Sequence, residues 1–346
     1  MNKKILAILM ALLMVLMGTV AMAEDEWYVE STTENDTSFV ITKEYTGTGK
    51  AEDTFNFAIA EISKPETATS QPAIDDQVIT VAKEAESNKV TVNVPDTYTV
   101  PGVYTYTITE TEGNTAGVAY NTEKKSYTLK VTAYTNEQGT ISRVVSIRDE
   151  KGAKDGDGDI AFKNEYTAGE LSVTKKFAGN LSDARDVFEL TVVFTAPKNA
   201  EGKPLDIKAE ISGTATDNSA SSAAISVGTA TVNAEAGTVT YVISNVGRND
   251  VVKFTNVPTG VTYAVTETLT NGKAVGSESK VQYDSEVVDK GTGTITTTAS
   301  AVEVTNTATT SIDTGVNTDS LPYFMLMAFV MILAAAVVLK KRTVNE

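Results

Sequence analysis

The chain of 346 residues contains no cysteine. Secreted β domains often rely on disulfides as staples, so any covalent staple here must use other side chains. Histidine is absent too. That removes the usual general base, the Ser-His-Asp arrangement and the commonest metal ligand, and hydrolase and zinc-site readings lose their support. Positive charge is scarce: the formal net charge is −16, which favours solubility and argues against nucleic-acid binding. No glycine-rich phosphate loop follows a strand and opens a helix. Asp155, Asp157 and Asp159 alternate as in calcium loops. The sixth position is Ile160 rather than Gly and the twelfth is Tyr166 rather than Glu, so a solvated turn is the better account. No metal or cofactor is expected.

The two ends suggest a destination outside the cell. Met1 to Ala23 reads as a secretory signal peptide: Lys3-Lys4, an apolar stretch from Ile5 to Met17, then Ala21-Met22-Ala23 as a small-x-small cleavage site. Leu321 to Leu339 is almost wholly apolar and long enough to span a bilayer, and Lys340-Lys341-Arg342 follows as the basic cytoplasmic flank of a tail over 340–346.

Between them the pattern is strand after strand. Val, Ile, Thr, Tyr and Phe alternate with polar residues in Phe39 to Tyr45, Thr54 to Ile62, Lys89 to Val94, Tyr104 to Thr109, Tyr127 to Tyr134 and Ser142 to Ile147. The same holds for Leu171 to Phe177, Phe188 to Phe194, Thr238 to Ile243, Val252 to Phe254, Tyr263 to Thr266 and Val302 to Val304. Many short strands without helical periodicity predict an all-β fold of two tandem Ig-like sandwiches. The domains are expected over 24–168 and 169–308, divided where Thr167-Ala168-Gly169 interrupts the pattern. A polar linker over 309–320 follows.

Two sets of residues recur in the same order. The first is Val40-Ile41-Thr42-Lys43, Tyr106-Thr107-Ile108-Thr109-Glu110 and Ile160-Ala161-Phe162-Lys163-Asn164. The second is Ser172-Val173-Thr174-Lys175, Tyr263-Ala264-Val265-Thr266-Glu267 and Val302-Glu303-Val304-Thr305-Asn306. In each segment the final polar residue falls in phase with apolar neighbours two positions away, which points it into a sandwich core. Lys176, Glu112 and Lys163 fall outside that pattern and are expected to face solvent. A lysine, a glutamate and an asparagine buried together are expensive unless chemistry removes the charge. An amide bond between lysine and asparagine side chains does so. Lys43 and Lys175 are then the nucleophiles, Asn164 and Asn306 the electrophiles, and Glu110 and Glu267 the carboxyls that move protons.

A lysine on a first strand, a glutamate after Tyr-x-Val/Ile-x and an asparagine at the end of a last strand resemble the isopeptide-forming (CnaB-type) domains of Gram-positive surface proteins. The duplicated set, signal peptide and tail together resemble the streptococcal backbone pilins of the FctA or T-antigen family. That resemblance implies a non-enzymatic shaft subunit, secreted to the Gram-positive cell surface, anchored to the wall and polymerised by a sortase. Ser311-Ile312-Asp313-Thr314-Gly315 is similar to a sorting signal cut between Thr314 and Gly315, although it departs from Leu-Pro-x-Thr-Gly at its first and second positions. The implied partners are a class C-type or housekeeping sortase, further copies of the chain and peptidoglycan. The joining lysine is expected shortly before the last strand of the first domain, at Lys154 or Lys151. Lys198 is a rival, because Ala196-Pro197-Lys198-Asn199 is similar to the Tyr-Pro-Lys-Asn motif of another pilin class. The alternative is an unpolymerised, wall-anchored adhesin with stiff stalk domains that binds host surface ligands.

Overall fold

A computed structural model describes residues 37–122, 125–149, 160–270, 273–274, 283 and 285–309. The segments 1–23, 311–315, 321–339 and 340–346, and with them Thr314 and Gly315, lie outside the described residues, as do Lys151 and Lys154. Among the described residues no helix is long and apolar enough to cross a membrane.

The first half holds nine strands: β1 (Ser38–Thr46), β2 (Asp53–Ser63), β3 (Gln77–Val81), β4 (Ser87–Asn93), β5 (Gly102–Thr111), β6 (Val118–Tyr120), β7 (Ser126–Thr135), β8 (Ile141–Asp149) and β9 (Ile160–Tyr166). The second half continues with β10 (Ala168–Ala178), β11 (Phe188–Thr195), β12 (Ser212–Thr216), β13 (Ser226–Val227), β14 (Thr231–Asn233), β15 (Thr238–Val246), β16 (Val251–Pro258), β17 (Thr262–Thr270), β18 (Lys273–Ala274), β19 (Ser285–Asp289), β20 (Thr292–Thr294) and β21 (Ser300–Thr307). The fold is all-β. Sheets β4-β1-β9-β6 and β3-β2-β5-β7-β8 face each other in the first half. Sheets β12-β16-β10-β21-β19 and β13-β15-β11-β17-β18 do so in the second, with β14 on β15 and β20 on β17.

Period-two alternation decides the inner faces. Ile41 and Tyr45 of β1, Phe55 and Phe57 of β2, Tyr104, Tyr106 and Ile108 of β5, and Phe162 of β9 are buried in one core. Leu171 and Val173 of β10, Leu190, Val192 and Phe194 of β11, Phe254 of β16 and Val304 of β21 fill the other. Ring pairs such as Phe57–Phe162 at 5.0 Å and Phe194–Phe254 at 5.3 Å lock the two layers together.

Most pairing is antiparallel, but β1 runs parallel to β9 and β10 runs parallel to β21. The two ladders share one register. Lys43 lies opposite Phe162, two residues before Asn164; Lys175 lies opposite Val304, two residues before Asn306. First and last strand are therefore neighbours at the centre of one sheet in each half.

The halves meet without a linker. β9 ends at Tyr166 and β10 starts at Ala168, so Thr167 alone separates them. Ala168 and Gly169 already pair with β16, and the ladder shifts register just after them, between Gly169 and Leu171. Segments are exchanged across the junction: Ala209 packs in the first core and Ala116 in the second. Ala116 N–H donates to the Asp206 carbonyl at 3.0 Å, and Asp206 N–H to that of Asn114 at 2.6 Å. The Lys208 ammonium reaches buried Asp53 at 2.6 Å.

Candidate crosslinking site

Each parallel pair places a lysine and an asparagine on one inner face, and the opposite sheet supplies the carboxyl. Lys43 projects from β1, Asn164 from β9 and Glu110 from the end of β5, across the sandwich. Lys175 projects from β10, Asn306 from β21 and Glu267 from β17. Lys43, Lys175, Asn164 and Asn306 are buried, and the Glu110 and Glu267 side chains keep 7 % and 0 % of their surface exposed. The six residues come together as two sets of three. The out-of-phase residues are elsewhere: Lys163 is exposed and pairs with Glu44 at 2.8 Å, Glu112 is exposed, and Lys176 is partly exposed.

In the first half Lys43 Nζ lies 2.8 Å from Glu110 Oε1, without the alignment of a hydrogen bond. Asn164 Nδ2 donates to Glu110 Oε1 at 2.8 Å, and Asn164 Oδ1 accepts from the Asn121 N–H at 3.4 Å. In the second half Lys175 Nζ donates to Glu267 Oε2 at 2.5 Å and also to Asn306 Oδ1. Asn306 Nδ2 donates to Glu267 Oε1 at 2.5 Å. One carboxyl thus touches both the lysine amine and the asparagine amide nitrogen in each set.

Aromatic rings complete the walls. Lys43 Nζ sits 4.5 Å from the centre of the Phe55 ring, and Lys175 Nζ lies 4.0 Å from that of Phe188 and 5.7 Å from that of Phe177. Removal from water pushes both amines down from the usual lysine range to about 8, against the opposing pull of their glutamates. The same burial raises Glu110 and Glu267 above the usual carboxyl range, more than the lysines and asparagines lower them. Both directions favour a neutral amine beside a neutral acid, the protonation that nucleophilic attack on a carboxamide requires.

A shared glycine escapes strand-phase reasoning, although the sequence carries it. Lys43-Glu44-Tyr45-Thr46-Gly47 and Lys175-Lys176-Phe177-Ala178-Gly179 are both Lys-x-aromatic-small-Gly. Gly47 has φ +125° and Gly179 φ +83°. A Cβ on Gly47 would overlap the Tyr166 carbonyl oxygen, and one on Gly179 that of Ala308. In both halves glycine lets the chain leaving the lysine strand cross closely over the chain leaving the asparagine strand. Phe55, Phe188 and Asn121 were also missed, since nothing local ties them to the lysine.

Lys198 is exposed and sits in a tight turn, where it bridges to Pro204. Asn199 Oδ1 accepts from the Glu201 and Lys203 N–H groups at 3.1 and 3.0 Å. The turn is fastened to the junction by Asn199 Nδ2 donating to Asn114 Oδ1 at 3.3 Å.

Comparison with known proteins follows the same division. Residues 39–167 match the FctA family model, described as a Spy0128-like isopeptide containing domain. Residues 169–308 match a second family model, DUF7601, a domain of unknown function. The crystal structure of the major pilin from Streptococcus pyogenes is similar over 80 % of this chain and 99 % of its own, at 21 % identity and a TM-score of 0.50. The major pilin protein of Streptococcus pyogenes serotype GAS13637 covers the same shares at 16 % identity and a TM-score of 0.49. No curated protein sequence matches the chain significantly.

Proposed function

We propose that this chain, whose first sandwich matches the FctA model of Spy0128-like isopeptide domains, is the shaft subunit of a covalent cell-surface pilus. The observation that carries the reading is the pair of buried Lys–Glu–Asn sets, each bridging first strand, last strand and opposite sheet. Lys43 ligates to Asn164 and Lys175 to Asn306. The lysine nitrogen attacks the asparagine side-chain carbon, the glutamate relays a proton to the departing nitrogen, and ammonia leaves. Each set reacts once, on its own chain, so the protein is a structural element rather than an enzyme.

The bonds suit a fibre. Tension entering at Ser38 passes along β1 to Lys43, crosses to Asn164, runs through β10 to Lys175, and crosses to Asn306. The strands between each lysine and its asparagine stay out of the path. Polymerisation then requires a class C-type or housekeeping sortase to cut after Thr314 and pass the threonine carbonyl to a lysine of the next copy, with peptidoglycan as the final acceptor. Lys154 is the first candidate, Lys151 the second and Lys198 the third. Load arriving at Lys154 would enter just ahead of β9. The Lys43–Asn164 bond would then hold the first domain together rather than carry the pull.

Two measurements test this. Intact mass of the folded protein should fall by about 17 Da per bond, hence by two such increments. A blot of boiled cell-wall extract should show a ladder, which Thr314→Ala abolishes. Lys154→Arg keeps the charge but removes the primary amine and should abolish it too. A ladder that survives Lys154→Arg moves the acceptor to Lys151 or Lys198. A single band in the wild type refutes the shaft and leaves the wall-anchored adhesin.

A further inference from the structure

We infer that the backbone N–H of Asn121 is the oxyanion donor of the first domain's ligation, a group for which the second domain shows no counterpart among the described residues. The inference rests on the ligation reading above and names what polarises the carboxamide under attack.

The geometry is specific about which amide atom is which. A backbone N–H can only donate, so the Asn164 atom facing Asn121 N at 3.4 Å is the oxygen. The other end, Nδ2, points to Glu110 Oε1 at 2.8 Å. Carbonyl oxygen and leaving nitrogen are thereby sorted to opposite partners before reaction. Strand pairing explains why this N–H is available. β6 ends with Tyr120 opposite Asn164, and the next N–H turns from the ladder onto the asparagine side chain. In the second domain β19 stays paired with β21 from Ser285↔Thr307 through Glu286↔Asn306 to Asp289↔Glu303. The group on Asn306 Oδ1 there is Lys175 Nζ itself, which must leave the oxygen to reach the carbon. Lys43 Nζ makes no aligned hydrogen bond, so in the first domain polarisation does not occupy the nucleophile.

The step balances without redox change. Neutral Lys43 Nζ forms a bond to Asn164 Cγ, and the carbonyl π pair moves onto Oδ1, where the Asn121 N–H meets the new charge. The carboxyl proton of Glu110 passes to Nδ2 as the Cγ–Nδ2 bond breaks. A proton from Nζ restores the acid, and ammonia departs. A donor aimed at developing negative charge acts mainly in the transition state, and losing one slows acyl chemistry by about 10²–10³-fold.

The test uses the full chain made by cell-free synthesis, with bond formation followed by intact mass and each bond located by peptide mapping. Asn121→Pro removes this N–H; Thr122→Pro places the same ring one residue along. The expected result is a Lys43–Asn164 bond at least about tenfold slower in Asn121→Pro, with the Lys175–Asn306 bond on time, and both bonds on time in Thr122→Pro. If Asn121→Pro forms both bonds at the wild-type rate, the donor assignment is wrong and ligation stands. If the wild type shows no mass loss, ligation itself fails. Should Asn121→Pro not fold, amide exchange decides the matter in unlinked proteins. Lys43→Ala should protect the Asn121 amide at least about tenfold more than Lys43→Ala/Asn164→Ala, with the other β6 amides unchanged; equal exchange overturns the inference.

Discussion

Replacing Glu110 by glutamine should leave the first domain folded but unlinked. Glutamine keeps the shape of the side chain and can still contact Asn164, but it cannot relay the proton that the departing nitrogen needs. The expected mass is about 16 Da above wild type, the increment of about 17 Da for the missing bond less about 1 Da for the Glu→Gln exchange itself, with the Lys175–Asn306 bond as an internal reference in the same molecule. Stability should follow. The proposed Lys43–Asn164 bond would close a loop of about 120 residues, for which the chain-entropy relation gives about 5 kcal/mol of stabilisation through the unfolded state. A domain of about 130 residues has an unfolding entropy near 0.27 kcal/mol/K, so the unlinked domain should melt about 18 °C lower. The proposed Lys175–Asn306 bond would join residues 131 positions apart, and Glu267→Gln should cost its domain about as much. Calorimetry of the two single variants and the double variant separates the domains. A linked first domain in Glu110→Gln would refute the role of the carboxyl. An unlinked domain with an unmoved transition would refute the loop-entropy reasoning while sparing the chemistry.

Three further outcomes are expected. Gly47→Ala forces a side chain into left-handed backbone against the Tyr166 carbonyl; it should cost about 3 kcal/mol and slow the Lys43–Asn164 bond, read by urea unfolding and mass. Gly179→Ala should do the same to the second domain. Ligation of chains isolated unlinked in denaturant and diluted into buffers should follow a bell-shaped pH profile, because the reactive pair holds one proton. As pH falls below the raised pKa of the glutamate, the amine stays protonated and the rate drops; as pH rises past about 8, the pair loses its last proton and the rate drops again. A rate still climbing at pH 10 contradicts the glutamate's role as acid. Lys208→Ala strands the buried Asp53 carboxylate with the Thr54 N–H at 2.8 Å as its remaining hydrogen bond among those described. It should cost the first domain about 1–2 kcal/mol; an unmoved calorimetric transition would show that the junction pair contributes nothing.

By itself the sequence determined what is local. Alternation with a period of two is a property of neighbouring residues, so the inward phase of Lys43, Asn164, Lys175 and Asn306 was legible, as was the all-β class. The absence of cysteine and histidine narrowed the chemistry before any strand was placed. Strands whose existence depends on a partner were not legible. β6 has three residues, and β12 to β14 are mostly small and polar, so only pairing makes them strands. The same limit hid the site's surroundings. Phe55 lies beneath Lys43, and Asn121 meets Asn164, because sheets pack and ladders end where the fold dictates. Tertiary structure alone also decided the junction: Thr167-Ala168-Gly169 reads as a break, yet the chain passes from β9 into β10 with one residue between. Exchange of Ala116 and Ala209 between the two cores lies outside what local pattern can encode, since each alanine is buried by residues far away in the chain.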